Sequence, residues 1–148
     1  MLQQPISVQK LDPRARLPVY SSEYAAGADL CACLDEPVTI APGETVFLHT
    51  GLAMEIPVGY AGLVYARSGM ATKRGRAPAN KVGVVDSDYR GEFLVALHNH
   101  GTEPQTIEHG ERIAQLVITP VLRGLFQEAD SLSDTARGSG GYGSTGRM

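Results

Sequence analysis

Two carboxylates and an aromatic ring, those of Asp86, Asp88 and Tyr89, stand together in the middle of NKVGVVDSDYRGEF, the segment that spans residues 80–93. Apolar, β-branched residues flank DSDYR on both sides, which predicts a β-hairpin whose turn carries Asp86, Asp88 and Tyr89. Backbone N–H and C=O groups left unpaired in such a hairpin can match the edge of a nucleobase. Either acid could then act as a general base toward a bound water. Ordinary turn chemistry produces the same acidic spacing, and the pattern alone leaves that alternative open.

A second polar group follows a β-rich run in YARSGMA, residues 65–71. Arg67, Ser68 and Gly69 precede the one short helix that the sequence predicts, Met70–Lys73. A guanidinium, a hydroxyl and unpaired backbone N–H groups at one point suit the oxygens of a phosphate. The alternative is a helix N-cap formed by Ser68, with Arg67 in solvent.

Two further polar residues interrupt apolar strands. Asp29 opens an otherwise apolar strand in AAGADLCAC, and its carboxylate either bonds its own backbone or faces a metal ion or the waters of one. Gln115 interrupts the apolar run Ile113–Ile118, and a buried amide must find hydrogen-bond partners.

Composition limits the classes of partner. The chain has 148 residues and a formal net charge of -3, so it lacks the basic surface of a general nucleic-acid binder. An anionic substrate must therefore be met by a few placed arginines or by a metal ion. Cys31 and Cys33 are expected to be reduced packing thiols, because alternate strand residues lack the geometry of a relaxed disulfide.

The sequence also predicts the location. The N-terminal segment lacks the charged and apolar regions of a signal peptide, and no apolar run reaches the ~18 residues of a membrane span. We therefore expect a cytoplasmic protein that interacts with neither membranes nor nucleic acid.

Short β runs separated by Gly, Pro and Asn turns predict an all-β fold, a β-sandwich or jelly roll. We expect a β domain over residues 1–131 and a flexible glycine-rich C-terminal tail over residues 132–148, where apolar residues are almost absent. The predicted strands are Ile6–Val8, Asp29–Leu34, Val38–Ile40, Thr45–His49, Leu52–Ile56, Ala61–Tyr65, Val82–Val85, Phe93–His98 and Arg112–Thr119.

Taken in order, these stretches resemble the five motifs of the trimeric dUTPase (deoxyuridine triphosphatase) family, and the resemblance covers essentially the whole chain. It implies a jelly roll, a homotrimer with active sites between subunits, and hydrolysis of dUTP to dUMP and pyrophosphate with Mg²⁺. The matching segments are AGADL at Ala26–Leu30, RSGMA at Arg67–Ala71, NKVGVVDSDYRGE at Asn80–Glu92, GERIAQL at Gly110–Leu116 and RGSGGYGSTG at Arg137–Gly146.

The resemblance also implies individual roles at the nucleoside end. Asp86 matches the residue that contacts the sugar 3'-hydroxyl and activates the water attacking the α-phosphorus. Tyr89 matches the ring that packs under the deoxyribose and excludes a 2'-hydroxyl. The residues that match the uracil-reading hairpin and a further pocket contact are Asn80, Gly83, Val84, Val85 and Leu94.

At the phosphate end the resemblance implies that Arg67, Ser68, Gly69 and Gln115 contact phosphates. Asp29 matches the acid that holds the waters around the magnesium ion. In the tail, the resemblance implies a lid that closes on the substrate through the catalytic Arg137 and the substrate-binding residues Tyr142, Gly143, Ser144 and Thr145.

Three positions depart from the family pattern. Ala66 stands where a proline usually precedes the Arg-Ser-Gly, Ala28 replaces an aromatic residue, and Tyr142 replaces a phenylalanine. None of these changes removes a group that the chemistry needs. Two alternative functions remain on the same scaffold: a dCTP deaminase-like enzyme and a nucleotide-binding regulator without catalysis.

Overall fold

The computed structural model describes residues 3–69 and 75–141. Ser68 and Gly69 have helical backbone, and the predicted helix Met70–Lys73 lies outside the described residues. The described part of the chain contains eleven strands: β1 Ser7–Lys10, β2 Val19–Tyr20, β3 Ala28–Cys31, β4 Val38–Ile40, β5 Thr45–Glu55, β6 Tyr60–Tyr65, β7 Arg76–Pro78, β8 Val82–Val85, β9 Glu92–Asn99, β10 Gln105–Ile107 and β11 Arg112–Pro120.

The strands form two main antiparallel layers. One sheet has the order β1-β5-β9-β7, the other has the order β2-β3-β11-β6-β8, and β10 pairs with β4 in a small third sheet. Both main sheets contribute to one apolar core, in which Leu30 and Ile113 from one layer share a cluster with Leu48 and Leu97 from the other. The predicted all-β sandwich of the jelly-roll class is confirmed.

One long strand replaces two predicted ones. β5 runs without interruption, but its register with β9 shifts between His49 and Ala53. Gly51 lies in this shift with φ of 67°, a conformation that favours glycine, and its N–H donates to the Glu92 carboxylate at 2.8 Å. The break predicted between the strands Thr45–His49 and Leu52–Ile56 is therefore a β-bulge within one strand. The short strands β2, β7 and β10 were not predicted.

The predicted hairpin over residues 80–93 is wrong as a hydrogen-bonded ladder. β8 pairs with β6, whereas β9 pairs with β5 and β7, so the two strands belong to different sheets. Val85 and Phe93 pack on the common core from these opposite layers. The DSDYR turn therefore crosses between the sheets and leaves a gap between β8 and β9.

The last strand ends at Pro120, and residues 121–139 are exposed. Among these, Leu122 and Phe126 are almost fully exposed, so apolar side chains leave the sandwich well before the predicted tail begins at Leu132. The boundary between residues 131 and 132 stays a prediction. No helix within the described ranges has the length and apolar character that crossing a bilayer requires.

Candidate active site

A cavity of about 280 Å³ lies between β8 and β9. We call it the β8–β9 cavity. It exists because β8 is the edge strand of its sheet and β7 pairs with β9 only at residues 97–99. Its lining includes Phe47, Asn80, Gly83, Val84, Val85, Asp86, Tyr89 and Leu94.

The Leu94 backbone faces this gap. The carbonyl of Ala96 accepts a hydrogen bond from the Ala79 N–H at 2.7 Å, so the polar groups of Ala96 point away from β5. The direction of the backbone N–H and C=O groups alternates along a strand, so those of Leu94 point to the same side as those of Ala96. At Leu94 that side lies beyond the end of β7. Backbone donors and acceptors without a strand partner therefore line the cavity, which is the arrangement needed to pair with the edge of a planar base.

The DSDYR turn is held by its aromatic residue. The Tyr89 hydroxyl donates to the Glu92 carbonyl at 2.9 Å, and its ring lies 6.3 Å from that of Phe93, tilted by 45°. Gly91 is required here because a Cβ at that position would collide with the Tyr89 ring. Asp86 begins the turn, exposed to solvent and in the lining of the cavity.

The turn that leads into β8 is also constrained. Lys81 has φ of 61°, in the left-handed region that residues with a Cβ rarely adopt. A Cβ on Gly83 would lie 3.2 Å from the Asn80 amide nitrogen, so the glycine lets Asn80 pack against the strand. The predicted uracil-reading residues thus share one cavity with Asp86, Tyr89 and Leu94.

Phe47 is a member of this cavity that the sequence did not reveal. It lies on β5 opposite Ala96, and 69% of it is exposed although it lines the cavity. In the sequence it is only one more apolar residue in TVFLH, and no local signal distinguishes it from a packing residue.

A second polar site is centred on Asp29 of β3, of which only 7% is exposed. One carboxylate oxygen accepts from Arg67 Nε at 2.6 Å, and the other accepts from Arg112 Nη1 at 3.2 Å. We call these three residues the Asp29 cluster. Both oxygens of Asp29 are therefore engaged by arginines, and the cluster presents a net positive charge to any anion.

Arg112 reaches this cluster through a β-bulge. The register between β11 and β3 shifts between Arg112 and Ala114, so Ile113 and Ala114 are both fully buried. Simple alternation from Gln115 would turn Arg112 toward the core, whereas the bulge leaves it on the outer face with Gln115 and Asp29. The alternation visible in the sequence therefore gives no sign that Arg112 faces Asp29.

Gln115 holds the turn that carries the predicted phosphate-binding residues. Its side-chain amide donates to the Ala66 carbonyl at 2.8 Å, which confirms that this amide needed a partner. Gly27 makes room for it, because a Cβ there would collide with the Gln115 carbonyl oxygen. Arg67 is thus fixed from two sides, while Ser68 and Gly69 are exposed beside it.

The cysteines add no charge to the cluster. Cys31 is half-buried and Cys33 is buried, and both are free thiols. Burial raises the pKa of both thiols, so they stay protonated at neutral pH.

A second cavity of about 430 Å³ lies beside the Asp29 cluster and is lined in part by Cys31, Arg16 and Arg112.

The described residues around Asp29 do not form a preformed magnesium cage. Within residues 3–69 and 75–141, no three His, Cys, Asp or Glu side chains lie close enough together to hold a metal ion. Magnesium keeps several waters and is usually held by one or two carboxylates together with substrate phosphates. Asp29, with both oxygens bonded to arginines, offers such an ion at most an outer-sphere contact through its waters, and the described residues form no metal cage on their own.

The two sites do not meet within one chain. Arg67 follows the end of β6 that pairs with Val82, whereas Asp86 follows Val85, which pairs with Gly62. Counted from Ala61, the level of Asp86, to Arg67, two residues beyond the end of β6, six positions of extended backbone at ~3.3 Å each separate their levels by roughly 20 Å. Arg137 lies in an exposed turn, where its Nε donates to the Gly140 carbonyl at 2.7 Å. The predicted contacts Tyr142, Gly143, Ser144 and Thr145 lie outside the described residues.

A two-layered antiparallel β fold with a base-sized cavity between free strand edges, and with a separate arginine site for an anion, defines a nucleotide-processing class of protein. A family model described as dUTPase matches residues 14–146. The deoxyuridine 5'-triphosphate nucleotidohydrolase of Desulfitobacterium hafniense is 53% identical over 142 residues, which cover 95% of this chain and 94% of the relative. That of Paraburkholderia phymatum is 46% identical over 145 residues, covering 96% of this chain and 98% of the relative.

Solved structures agree with these relatives. A Staphylococcus bacteriophage 80alpha dUTPase variant with dUpNHpp superposes with a TM-score of 0.85 at 27% identity, covering 98% of this chain and 100% of that one. A phage phi11 dUTPase mutant, described with a structural Mg(II) ion, gives a TM-score of 0.76 at 25% identity over 86% of this chain and 98% of that one. The chain belongs to the dUTPase family.

Proposed function

We propose that this chain hydrolyses dUTP to dUMP and pyrophosphate with Mg²⁺, at active sites completed between the subunits of a homotrimer. The activity follows from membership of the dUTPase family. The observation that carries the residue assignment is the β8–β9 cavity, which combines the unpaired backbone of Leu94 with Asp86 and Tyr89 in one lining.

The base is read by backbone groups. Gly83, Val84 and Val85 on the β8 edge and Leu94 on the β9 edge face the cavity from opposite sides, and Asn80 closes its end. Uracil presents alternating acceptors and a donor along one edge, and two strand edges can match that pattern. Walls of this kind leave little room for the additional methyl group of thymine. Tyr89, fixed through Glu92, supplies the flat surface under the deoxyribose.

Asp86 is proposed as the general base. Its position in the cavity lining supports a place for it at the sugar side of a bound nucleotide. The carboxylate takes a proton from a water whose oxygen attacks the α-phosphorus. The bond from that phosphorus to the bridging oxygen breaks, and pyrophosphate leaves with the bond electrons. Positioning and charge neutralisation supply most of the catalysis in phosphoryl transfer.

The phosphate chain is proposed to bind at the Asp29 cluster and the adjoining turn. Arg67, Ser68 and Gly69 offer a guanidinium, a hydroxyl and backbone N–H groups, and Gln115 holds their turn. Asp29 would hold waters of a magnesium ion that arrives with the nucleotide. The chemistry that Mg²⁺ supplies when bound is neutralisation and orientation of the phosphates.

The homotrimer is supported by the distance between the two sites. Asp86 and Arg67 of one chain are separated by roughly 20 Å along the strand direction, which supports a substrate that contacts Asp86 of one subunit and Arg67 of another. The exposed segment that leads to Arg137 supports a contribution from a tail as well. Arg137 would meet the phosphates, Tyr142 would stack on the base, and Gly143, Ser144 and Thr145 would surround the phosphates.

In the cell, this reaction would keep uracil out of DNA and supply dUMP for thymidylate synthesis. We place the protein in the cytoplasm, which two free thiols support, since reduced cysteines persist there.

The decisive experiment measures pyrophosphate release from dUTP, dTTP, dCTP and UTP, each with and without Mg²⁺. Only dUTP with Mg²⁺ is expected to react rapidly. Release of ammonia from dCTP would instead identify a deaminase. Binding of dUTP without turnover would identify a nucleotide-binding regulator.

A further inference from the structure

Arg76 is a buried arginine to which the proposed function gives no role. Only 1% of it is exposed, and it lies on β7 opposite the buried Asn99 of β9. Its Nη2 donates to a carboxylate oxygen of Glu111 at 2.9 Å, while its Nε and Nη1 are buried with no acceptor among residues 3–69 and 75–141. The guanidinium is therefore removed from water with two of its three nitrogens unsatisfied.

Stability does not explain an arginine at this position. Burying a charged group is costly even when the group is paired, and unsatisfied buried donors add to that cost. Apolar side chains of similar volume often replace buried ion pairs with equal or greater stability. The polar head must contribute something other than burial.

The geometry shows what it contacts. Arg76 belongs to the four-stranded sheet, and Glu111 immediately precedes β11 of the five-stranded sheet, so their ion pair joins the two layers. The second carboxylate oxygen of Glu111 accepts from the Glu108 N–H at 3.2 Å, and the Glu111 N–H donates to the Glu108 carbonyl at 3.1 Å. Arg76 thus fixes the tight turn from which β11 begins.

The next residue along the chain is Arg112. The bulge after Arg112 turns it outward to Asp29, while Glu111 reaches inward to Arg76. The two adjacent side chains therefore connect the core arginine to the Asp29 cluster, which in turn holds Arg67. A shift of the turn at Glu111 would move Arg112 and so loosen the anion site.

We propose that Arg76 is a positioning residue for the Asp29 cluster, which it aligns through Glu111 and so sets the affinity for the phosphate chain. The identity of the phosphate ligand as part of dUTP rests on the proposed function. The alignment of the Asp29 cluster by Arg76 does not rest on the proposed function, because its effect on anion affinity can be measured directly with inorganic tripolyphosphate.

The test is Arg76→Met, which keeps apolar volume and removes the guanidinium. Calorimetric titration with tripolyphosphate and, separately, with dUMP is combined with a thermal unfolding curve. We expect the dissociation constant for tripolyphosphate to rise roughly tenfold, as for loss of one well-placed charged contact, with dUMP affinity little changed. The unfolding midpoint should fall, because the Glu111 carboxylate loses its buried partner. Arg14→Met is the matched control, since it removes an arginine from the exposed ion pair with Asp12.

Glu111→Gln and Arg76→Lys provide the same test if Arg76→Met does not fold. Both keep the size of the side chain, and both are expected to weaken tripolyphosphate binding more than dUMP binding. Equal weakening of both probes, or a lower unfolding midpoint with tripolyphosphate affinity unchanged, would overturn the proposal. Absence of dUTP turnover in the wild-type protein would refute the proposed function and leave this comparison of variants intact.

Discussion

The β8–β9 cavity and the Asp29 cluster are built in opposite ways. Most of the cavity lining comes from one continuous stretch, residues 78–96, and its specific groups are backbone atoms on two free strand edges. The cluster joins side chains from β3, the end of β6 and the start of β11, and ion pairs hold them together. A base is flat and neutral and can be matched by backbone, whereas a phosphate chain needs charges gathered from several strands.

The two sites therefore differ in which substitutions would weaken binding. Backbone recognition tolerates side-chain changes unless they fill the cavity or remove a wall. A charge cluster depends on each partner, because removing one leaves another buried and unpaired. Substitutions should therefore separate nucleoside affinity from phosphate affinity.

Asp86→Asn should affect turnover more than either binding site. The amide keeps the shape of the side chain but cannot accept the proton, and loss of a general base typically costs on the order of 10²- to 10⁴-fold in kcat. Steady-state kinetics and the dissociation constant of a non-hydrolysable dUTP analogue check this. Asp88→Asn is the matched control and should retain activity; the reverse result would assign the base to Asp88.

Phe47→Ala should weaken the nucleoside end alone. An exposed ring in the cavity lining is placed to pack on the base, and such contacts are worth about 1–3 kcal/mol. We expect dUMP affinity to fall roughly tenfold, with tripolyphosphate affinity unchanged. Val58→Ala removes a side chain that is 91% exposed and outside the cavity, and it should change neither. A loss of both affinities would place Phe47 outside the base site.

Gly27→Ala should weaken the phosphate end alone. The new Cβ displaces the Gln115 amide, which breaks its hydrogen bond to Ala66 and releases the turn before Arg67. One neutral hydrogen bond contributes about 0.5–1.5 kcal/mol, so tripolyphosphate affinity should fall by a few-fold while dUMP affinity holds. Gly124→Ala, in an exposed segment, serves as the control. Unchanged tripolyphosphate affinity would mean that Gln115 does not support the phosphate turn.

Asp12→Asn should change neither affinity and should alter only the acid stability. Hydrogen bonds from Arg14 hold the pKa of Asp12 well below its ordinary value near 3.8. A lowered pKa in the folded state stabilises the protein above the unfolded value, and that contribution is lost as the pH falls below about 4. Thermal unfolding at several pH values should therefore show that, below that pH, the unfolding midpoint of wild type falls further than that of the variant. Asp130→Asn is the exposed control, and a parallel decrease in all three proteins would contradict the assignment.

The residues that the sequence assigns to the uracil pocket line one cavity because most of them are contiguous. Asn80, Asp86 and Tyr89 lie within one segment whose apolar flanks and acidic turn are visible locally. The predicted pairing of that segment was wrong, since an apolar run fits a ladder in one sheet as well as strands in two sheets. Phe47 was missed because it comes from a distant strand and reaches the cavity only after β5 and β9 pair.

The phosphate end was predicted in parts. Gln115 was identified as an amide that needs partners, and Asp29 and Arg67 were identified as candidate metal and phosphate contacts, but no sequence spacing joins the three residues. Arg112 was missed because the bulge beside it reverses the alternation that the sequence implies. Arg76 was missed because an arginine at the start of a three-residue strand resembles an exposed residue, and only the pairing with β9 buries it.

By itself the sequence determined the all-β class, the order of the chemical groups and the family resemblance, because turn residues, apolar alternation and contiguous motifs are local properties of the chain. Tertiary structure alone decided that β8 and β9 lie in different sheets, that Arg112 faces Asp29, and that Arg76 reaches Glu111 through the core. These facts depend on which strand pairs with which and in what register. A pairing between distant strands is settled by the packing of two layers around one core, and no single segment contains that information.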